Sequence, residues 1–345
     1  MAKSRNFIGK VFLGALLMVL SMVLLSCSHS VHDLSPSPSP VNLQGLVKKA
    51  VESYRAKGID FHRNLMDYQA LGSFLHFEDT AGFDQSLLKR DGEGIPFVQY
   101  DGGLYYNPVT VAQYALFQYG KFLRKQALLD DFKAVSDKLL DLQESDGSFR
   151  YSFAWYYYLT GRKFKTGWVS AMAQGQALSV LARAYALTKD SRYWEAGKKA
   201  FQFLLTPTAA GGVMDTLEDL NPSWKNYVTF ELYPVEPASY TLNGFMFTLL
   251  GCYDWWQLAP GASEGSCKMA LAAFTAGIKT LNLILEYYDV GGFASYDLGY
   301  ITYQARPNLD PFYFAVDIYL LHALYSVTGD ENLRKYELLW SSYVN

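Results

Sequence analysis

The side chains best equipped for chemistry in this chain of 345 residues are its phenols. There are 27 Tyr beside 22 Phe and 7 Trp, and the tyrosines cluster as Tyr105-Tyr106, Tyr156-Tyr157-Tyr158 and Tyr287-Tyr288. Aromatic walls of this kind suit sugar rings. Any single ring is by default core packing, because aromatic side chains supply large buried area. Metal chemistry lacks its spacing: His29, His32, His62, His76 and His322 make no zinc pattern with one another or with the three cysteines. Four polar or aromatic residues in apolar surroundings need partners. Gln174 and Asn243 either satisfy amides between close-packed helices or reach a sugar. Trp168, following Gly167, either stacks on a sugar face or plugs the core. Arg183, at mid-helix among alanines, requires a structural carboxylate or a substrate anion.

Positioning these groups needs a folded body, and composition supports one. Half of the residues are hydrophobic and 18% are charged, which argues for a well-buried core and against disorder. A net charge of −3, with no dense basic block beyond the N-terminus, sets nucleic acid aside as a partner. Lys3, Arg5 and Lys10 precede an apolar run from Val11 to Leu25 that is short for a bilayer span, so residues 1–27 read as a signal peptide. The end, Leu24-Leu25-Ser26-Cys27-Ser28, looks like a lipobox whose Cys27 would be lipidated. A signal anchor and a secreted chain are the alternatives, and all three put the body outside the cytoplasm, with membrane attachment in the first two. Residues 28–42 are a Pro/Ser-rich tether. Cys252 and Cys267 could pair, or Cys252 could be a buried thiol.

From Leu43 onward apolar residues recur at three and four. The segments 112–116, 173–178, 242–247 and 318–324 share a texture rich in small and aromatic residues, and recur every 60 to 75 residues or so. Helices that are hydrophobic on most faces are needed where an inner ring packs against an outer ring and its neighbours. The pattern predicts an all-α fold, an α/α toroid or incomplete α/α barrel with its cleft at one end. Residues 43–103 form an N-terminal helical segment with a small β element, and residues 104–345 the toroid. Loops 206–226 and 287–306, with strand-like pieces such as Gly292-Phe293-Ala294-Ser295-Tyr296-Asp297, predict hairpins over the opening.

Four stretches carry a resemblance to a known family. They are Gly167-Trp168-Val169-Ser170-Ala171-Met172-Ala173-Gln174-Gly175-Gln176-Ala177, continuing at Arg183-Ala184-Tyr185-Ala186-Leu187-Thr188-Lys189-Asp190; Tyr233-Pro234 with Pro237, Ser239 and Leu242-Asn243-Gly244-Phe245-Met246; Tyr296-Asp297-Leu298 with Pro307-Asn308-Leu309 and Tyr313; and Tyr105-Tyr106 before Pro108 and Val111-Ala112-Gln113-Tyr114. From about Leu104 to the C-terminus the chain resembles the catalytic portion of D-glucuronyl C5-epimerases. The resemblance implies inversion of carbon 5 of glucuronate to iduronate within a heparan-type chain, without a cofactor. A polysaccharide lyase using the same proton abstraction and a non-catalytic glycan-binding lipoprotein are the alternatives.

That reaction removes a proton beside a carboxylate and returns one to the opposite ring face, so two acid/base groups must flank the sugar. The resemblance implies Tyr233, Tyr296 and Tyr313 as the site tyrosines, Tyr313 foremost. It adds Glu231 as acid, with Tyr105, Tyr106, Trp168, Gln174, Arg183, Asn243 and Arg306 as substrate contacts. The chain departs from the family at several positions. Where the family has an acid just before Tyr-Pro, this chain has Leu232, leaving Glu231 one residue upstream and Asp297 or Glu236 as other candidates. Tyr313-Phe314-Ala315-Val316-Asp317 stands where the family has Tyr-His-x-x-His. The Arg expected after Tyr-Asp-Leu is absent, with Gly299 and Tyr300 following; Arg306, Arg162 and Lys165 are the other cations. Family members can form homodimers.

Overall fold

A computed structural model describes residues 42–83, 88–258 and 265–345. The expected signal peptide, the lipobox-like Cys27 and all but the last residue of the tether lie outside them. Eleven helices are described: α1 Leu43–Lys57, α2 Phe77–Thr80, α3 Pro108–Leu123, α4 Leu129–Leu142, α5 Ala171–Thr188, α6 Ser191–Leu204, α7 Leu242–Gln257, α8 Gly265–Tyr288, α9 Gly299–Thr302, α10 Pro311–Thr328 and α11 Glu331–Val344. Local sequence sets several boundaries. Asn107 and Asp310 cap α3 and α10 with their side-chain oxygens, and the next residue in each case is a proline, whose missing N–H costs nothing in a first turn. Gly329 ends α10 in the left-handed region at φ 67°.

Burial sorts the long helices into two layers. In α5 every residue from Ala171 to Ala184 is buried, and α3, α7 and α10 are enclosed almost as fully. By contrast α6 buries only a stripe, Tyr193, Ala196, Gly197, Ala200 and Phe201 with Phe203 and Leu204. The enclosed helices therefore stand inside and the amphipathic ones outside. α3 packs on α5, α5 on α7 and α7 on α10, and each is backed by the helix that follows it, α4, α6, α8 or α11. At the ends of this arc, α10 also meets α1 and the 3₁₀ turn Phe61–Asn64, while α2 packs on α3. The all-α fold is as the periodicity predicted. α8 is long and apolar enough to cross a membrane by length and composition, yet it lies against α7 and buries Cys267, Phe274, Leu281 and Leu285.

Close approach of α5 and α7 depends on two glycines. A methyl group on Gly251 would stand 2.2 Å from the Gly175 carbonyl oxygen, and one on Gly175 would stand 2.5 Å from Thr248 Cα. Both obstacles are backbone, so neither helix can yield without moving the other. Gly251→Ala is expected to destabilise the protein at the upper end of the usual overpacking range, about 1–3 kcal/mol. A lowered thermal midpoint with an unchanged helical circular dichroism spectrum is the readout.

Arg183 belongs to this packing and not to a substrate site. Its guanidinium is fully buried, and it pairs with the equally buried Asp254 at 2.6 Å. It also donates to the Ser179 and Gly72 carbonyls and to the Tyr68 phenol, while Tyr68 in turn donates to Asp254 at 2.7 Å. Twelve residues along a helix at 1.5 Å each put Arg183 about 18 Å from the start of α5, far from the cleft described below. Gln174 is likewise consumed internally: its oxygen accepts from Phe149 N–H and its nitrogen donates to the Gly147 and Ala200 carbonyls.

Three short antiparallel pairs interrupt the helices. β1 Val98–Tyr100 pairs with β2 Gly103–Tyr105, the small β element expected ahead of the helical body. β3 Trp155–Tyr156 pairs with β4 Lys163–Phe164, and β5 Met214–Thr216 with β6 Val228–Phe230. The strand-like piece at 292–297 folds back on 288–290 in a short antiparallel turn, with Val290 N–H donating to the Phe293 carbonyl and Ser295 N–H to the Tyr288 carbonyl. Gly291 and Gly292 take positive φ, Asp289 accepts from Gly291 N–H, and one bridge between Asp289 and Ala294 precedes α9. Cys252 and Cys267 are both buried, and no disulfide joins them.

Candidate active site

The inner helices present their N-terminal ends to one cleft, with an empty volume of about 400 Å³ that is open to solvent. Asn107 caps α3 there, Trp168 lies three residues ahead of α5, Leu232 and Tyr233 lie on the approach to α7, and Tyr313 sits in the first turn of α10. Helix N-termini carry partial positive charge, so this end of the molecule is the one suited to an anion. Asn107 has two tasks. Its oxygen caps α3, and its nitrogen donates to the Tyr100 hydroxyl at 2.6 Å.

The remaining wall is aromatic and rigidly stacked. Tyr151 lies flat on Trp168, with centroids 3.7 Å apart and planes at 7°, and Tyr100 lies on Phe153 at 3.7 Å and 17°. Trp168 Nε1 donates to the Phe153 carbonyl at 3.1 Å, which locks the indole plane. Trp155 completes this side. Tyr151, Phe153 and Trp155 all line the cleft although the chain bends at 152–153 on its way into β3, and in sequence they form an alternation of aromatic positions. That alternation is the signal by which the sequence could have disclosed them.

Three predicted tyrosines come together. Tyr313 and Tyr296 rings lie 4.6 Å apart, and Tyr296 shares a side-chain hydrogen bond with Tyr233. Tyr233 and Tyr313 both line the cleft, and Tyr296 stands behind them, 5% exposed. Burial pushes the Tyr233 phenol up to about 12 and Tyr296 further, and their shared bond lowers Tyr233 while raising Tyr296. Of this pair, Tyr233 is the one that ionises first.

The predicted acid takes a different direction. β6 ends at Phe230 and the chain bends at Leu232, so that Leu232 lines the cleft while Glu231, 1% exposed, lies buried behind that lining. There Glu231 accepts from Tyr240 N–H and the Thr229 hydroxyl, each at 3.2 Å. Burial and the nearby Asp215 raise its carboxyl to about 8. Leu232 is packed from below, since a methyl group on Gly244 would meet Leu232 Cβ at 2.7 Å. Asp297, buried at 1% exposure, accepts from the Tyr158 phenol and from Gly299 N–H at 2.7 Å. Glu236 is exposed.

Because the unfolded value of Glu231 is near 4.5 and its folded value near 8, the folded protein keeps a proton that the unfolded chain has lost between those pH values. Stability therefore falls as pH rises through that window. Glu231→Gln is expected to flatten the decline and to gain on the order of 2–4 kcal/mol above about pH 8, at about 1.4 kcal/mol per unit. Urea midpoints of both proteins at about pH 5 and about pH 9 check it.

Other predicted contacts are more distant. Tyr105 supports the wall from behind, its ring 5.5 Å from that of Phe153. Tyr106 is turned away, donating to Asp91 at 2.5 Å and stacking near Phe97, with the Lys138 ammonium over its ring. Arg306 is exposed on the loop between α9 and α10. Asn243 is buried in the first turn of α7 with an unpartnered side-chain oxygen, and Asp317 is buried one turn behind Tyr313 with Oδ1 unpartnered. At position 299 a Cβ would lie 2.3 Å from Leu159 Cδ1 on the hairpin, so a side chain there would have to displace Leu159.

Residues 143–342 match the family model of the D-glucuronyl C5-epimerase C-terminus. The chain is 35% identical over 184 residues to the D-glucuronyl C5-epimerase of Caenorhabditis elegans, an alignment covering 51% of this chain and 29% of that protein. It is 30% identical over 191 residues to an uncharacterized protein of Methanocaldococcus jannaschii, covering 55% of this chain and 56% of that one. The chain thus spans about a third to a half of these relatives' lengths, and the matched region contains Trp168, Leu232, Tyr233, Tyr296 and Tyr313. The family model covers more than half of this protein, which therefore belongs to the D-glucuronyl C5-epimerase family.

Proposed function

We infer that this protein inverts carbon 5 of a uronate within an anionic polysaccharide, exchanging the C5 proton through Tyr313 on one side and Tyr233 on the other. The observation that carries this reading is that two phenols of a tyrosine triad line one aromatic cleft in a chain of this family. One phenolate oxygen takes the C5 proton as the C–H bond breaks, and the electron pair passes into the adjacent carboxylate as an aci-carboxylate. The other phenol then delivers a proton to the opposite face. Stacked rings such as Trp168 over Tyr151 hold the sugar, and the helix N-termini favour its negative charge. The basic and apolar N-terminus supports an exported, membrane-tethered enzyme acting on envelope or capsular polymer.

Leu232 favours a second reading. An apolar residue in the cleft where the family carries an acid leaves the phenols to do all proton work. Such a site can instead expel the C4 substituent after C5 abstraction, as a lyase does. Proton NMR of uronic-acid polymers incubated in deuterated water tests both readings. Deuterium at C5 with iduronate-type signals is the expected result, an unsaturated product makes the protein a lyase, and absence of exchange on every polymer removes the catalytic reading.

A further inference from the structure

Six carboxyls are buried among the described residues, and they fall into two groups. Glu78 pairs with Arg124, Asp254 with Arg183, and Glu337 with Arg334 and His322. Glu231, Asp297 and Asp317 have no ion pair among the described residues, although a buried carboxylate without a cation is costly. Glu231 is engaged behind the cleft by Tyr240 and Thr229, and Asp317 lies inside the α10 packing. Asp297 alone touches the hairpin whose Trp155 forms part of the cleft.

Phenols from several elements face Asp297, and Glu231, Asp317 and Arg162 act on some of the same phenols. Tyr157 and Tyr158 come from the β3–β4 hairpin, Tyr233 from the chain after β6, Tyr288 from α8, and Tyr296 and Tyr303 from its own loop. Tyr158 donates to one carboxyl oxygen, and its ring stands edge-on to Tyr233 at 6.0 Å and tilted against Tyr296 at 6.2 Å. Tyr158 is thus a wedge held by Asp297 against the two hydrogen-bonded tyrosines. Tyr233 itself adjoins Leu232 in sequence and in the cleft.

We propose that Asp297, acting through Tyr158, is the positioning carboxylate of Tyr233, standing in from behind for the acid that the family carries at position 232. The negative charge of Asp297 opposes a phenolate at Tyr233 and so keeps that residue protonated as the donor. In a turnover the Tyr313 phenolate gains the proton as the C5–H bond breaks. The Tyr233 O–H bond then breaks as the new C5–H bond forms, after which Tyr313 gives its proton up to solvent and Tyr233 takes one from it. This assignment rests on the C5-inversion reading, and it predicts that Tyr233 senses the ionisation of Asp297, which burial raises to about 6.

Tyrosine labelled with ¹³C at ring Cζ, with Tyr233 assigned through Tyr233→Phe, gives a readout that needs no substrate. The Tyr233 resonance is expected to titrate with a midpoint near 6 in the wild type, and to lose that inflection in Asp297→Asn. Tyr158→Phe, which leaves the carboxyl in place, is expected to weaken the response. In C5 exchange, Asp297→Asn should lower kcat by about tenfold or more, equivalent to about 1.4 kcal/mol, with KM nearly unchanged. Adding Leu232→Glu to Asp297→Asn should recover most of it. A Tyr233 resonance blind to Asp297, or wild-type kcat in Asp297→Asn, overturns the proposal. Ring coupling without exchange on any polymer instead overturns the proposed reaction and leaves the Asp297–Tyr233 coupling standing.

Discussion

On the proposed C5 inversion, Tyr313→Phe is expected to lower C5 deuterium incorporation by about 10²–10⁴-fold, the range lost when a positioned acid/base group is removed. Its ring is needed for packing against Tyr296 at 4.6 Å, and phenylalanine keeps that ring. The substitution therefore isolates the hydroxyl. Stability should change by about 1 kcal/mol or less, the net value of one hydrogen bond, so equal thermal midpoints with collapsed exchange identify a chemical role. Substrate affinity, followed by loss of exchange-silent polymer binding in a retention assay, should persist in the variant. Exchange at the wild-type rate in Tyr313→Phe would remove this residue from the reaction and leave Tyr233 as the phenol to pursue.

Arg183→Leu is expected to cost about 3–5 kcal/mol, the penalty for stranding one member of a buried ion pair. The magnitude follows from what is left behind. Asp254 and Arg183 are both fully buried at 2.6 Å, and removal of the guanidinium abandons the carboxylate together with the Gly72 and Ser179 carbonyls and the Tyr68 phenol. The network also ties the N-terminal segment carrying Tyr68 and Gly72 to α5 and α7, so its loss loosens one end of the helical arc. The double variant Arg183→Leu/Asp254→Leu should recover a large part of the loss, because no charge then remains unpaired. Denaturant midpoints of the single and double variants supply the comparison. A single variant as stable as wild type would show that the pair contributes nothing net, and a double variant no better than the single would place the cost in packing.

Departures from the family sequence become physically coherent once the chain is folded. Position 299 lacks an arginine, and the hairpin Leu159 fills the space above it. Position 232 lacks an acid, and a leucine packed over Gly244 takes its place in the cleft. Leu232 makes the lining of the site apolar at that position, while the buried carboxyl of Asp297 lies beside the phenols and outside that lining.

The sequence by itself determined the helical class, the four inner helices and the tyrosine triad. Inner helices must be apolar on nearly every face, and this leaves a periodic texture that can be read at 112–116, 173–178, 242–247 and 318–324. Tyr233, Tyr296 and Tyr313 were named by family motif, and folding brings them to one place although 80 residues separate the first from the last. Only the tertiary structure decided which polar groups serve the cleft. Arg183, Gln174 and Tyr106 are spent on Asp254, on the Gly147 and Ala200 carbonyls and on Asp91. A side chain's partner 15 to 71 residues away along the chain leaves no mark in local spacing. The direction of Glu231 was equally hidden, since it lies past the end of β6 beside a bend at Leu232 that local spacing does not disclose. With Leu232 in the cleft and Glu231 buried away from it, Asp297 is the carboxyl that Tyr158 ties to the phenols.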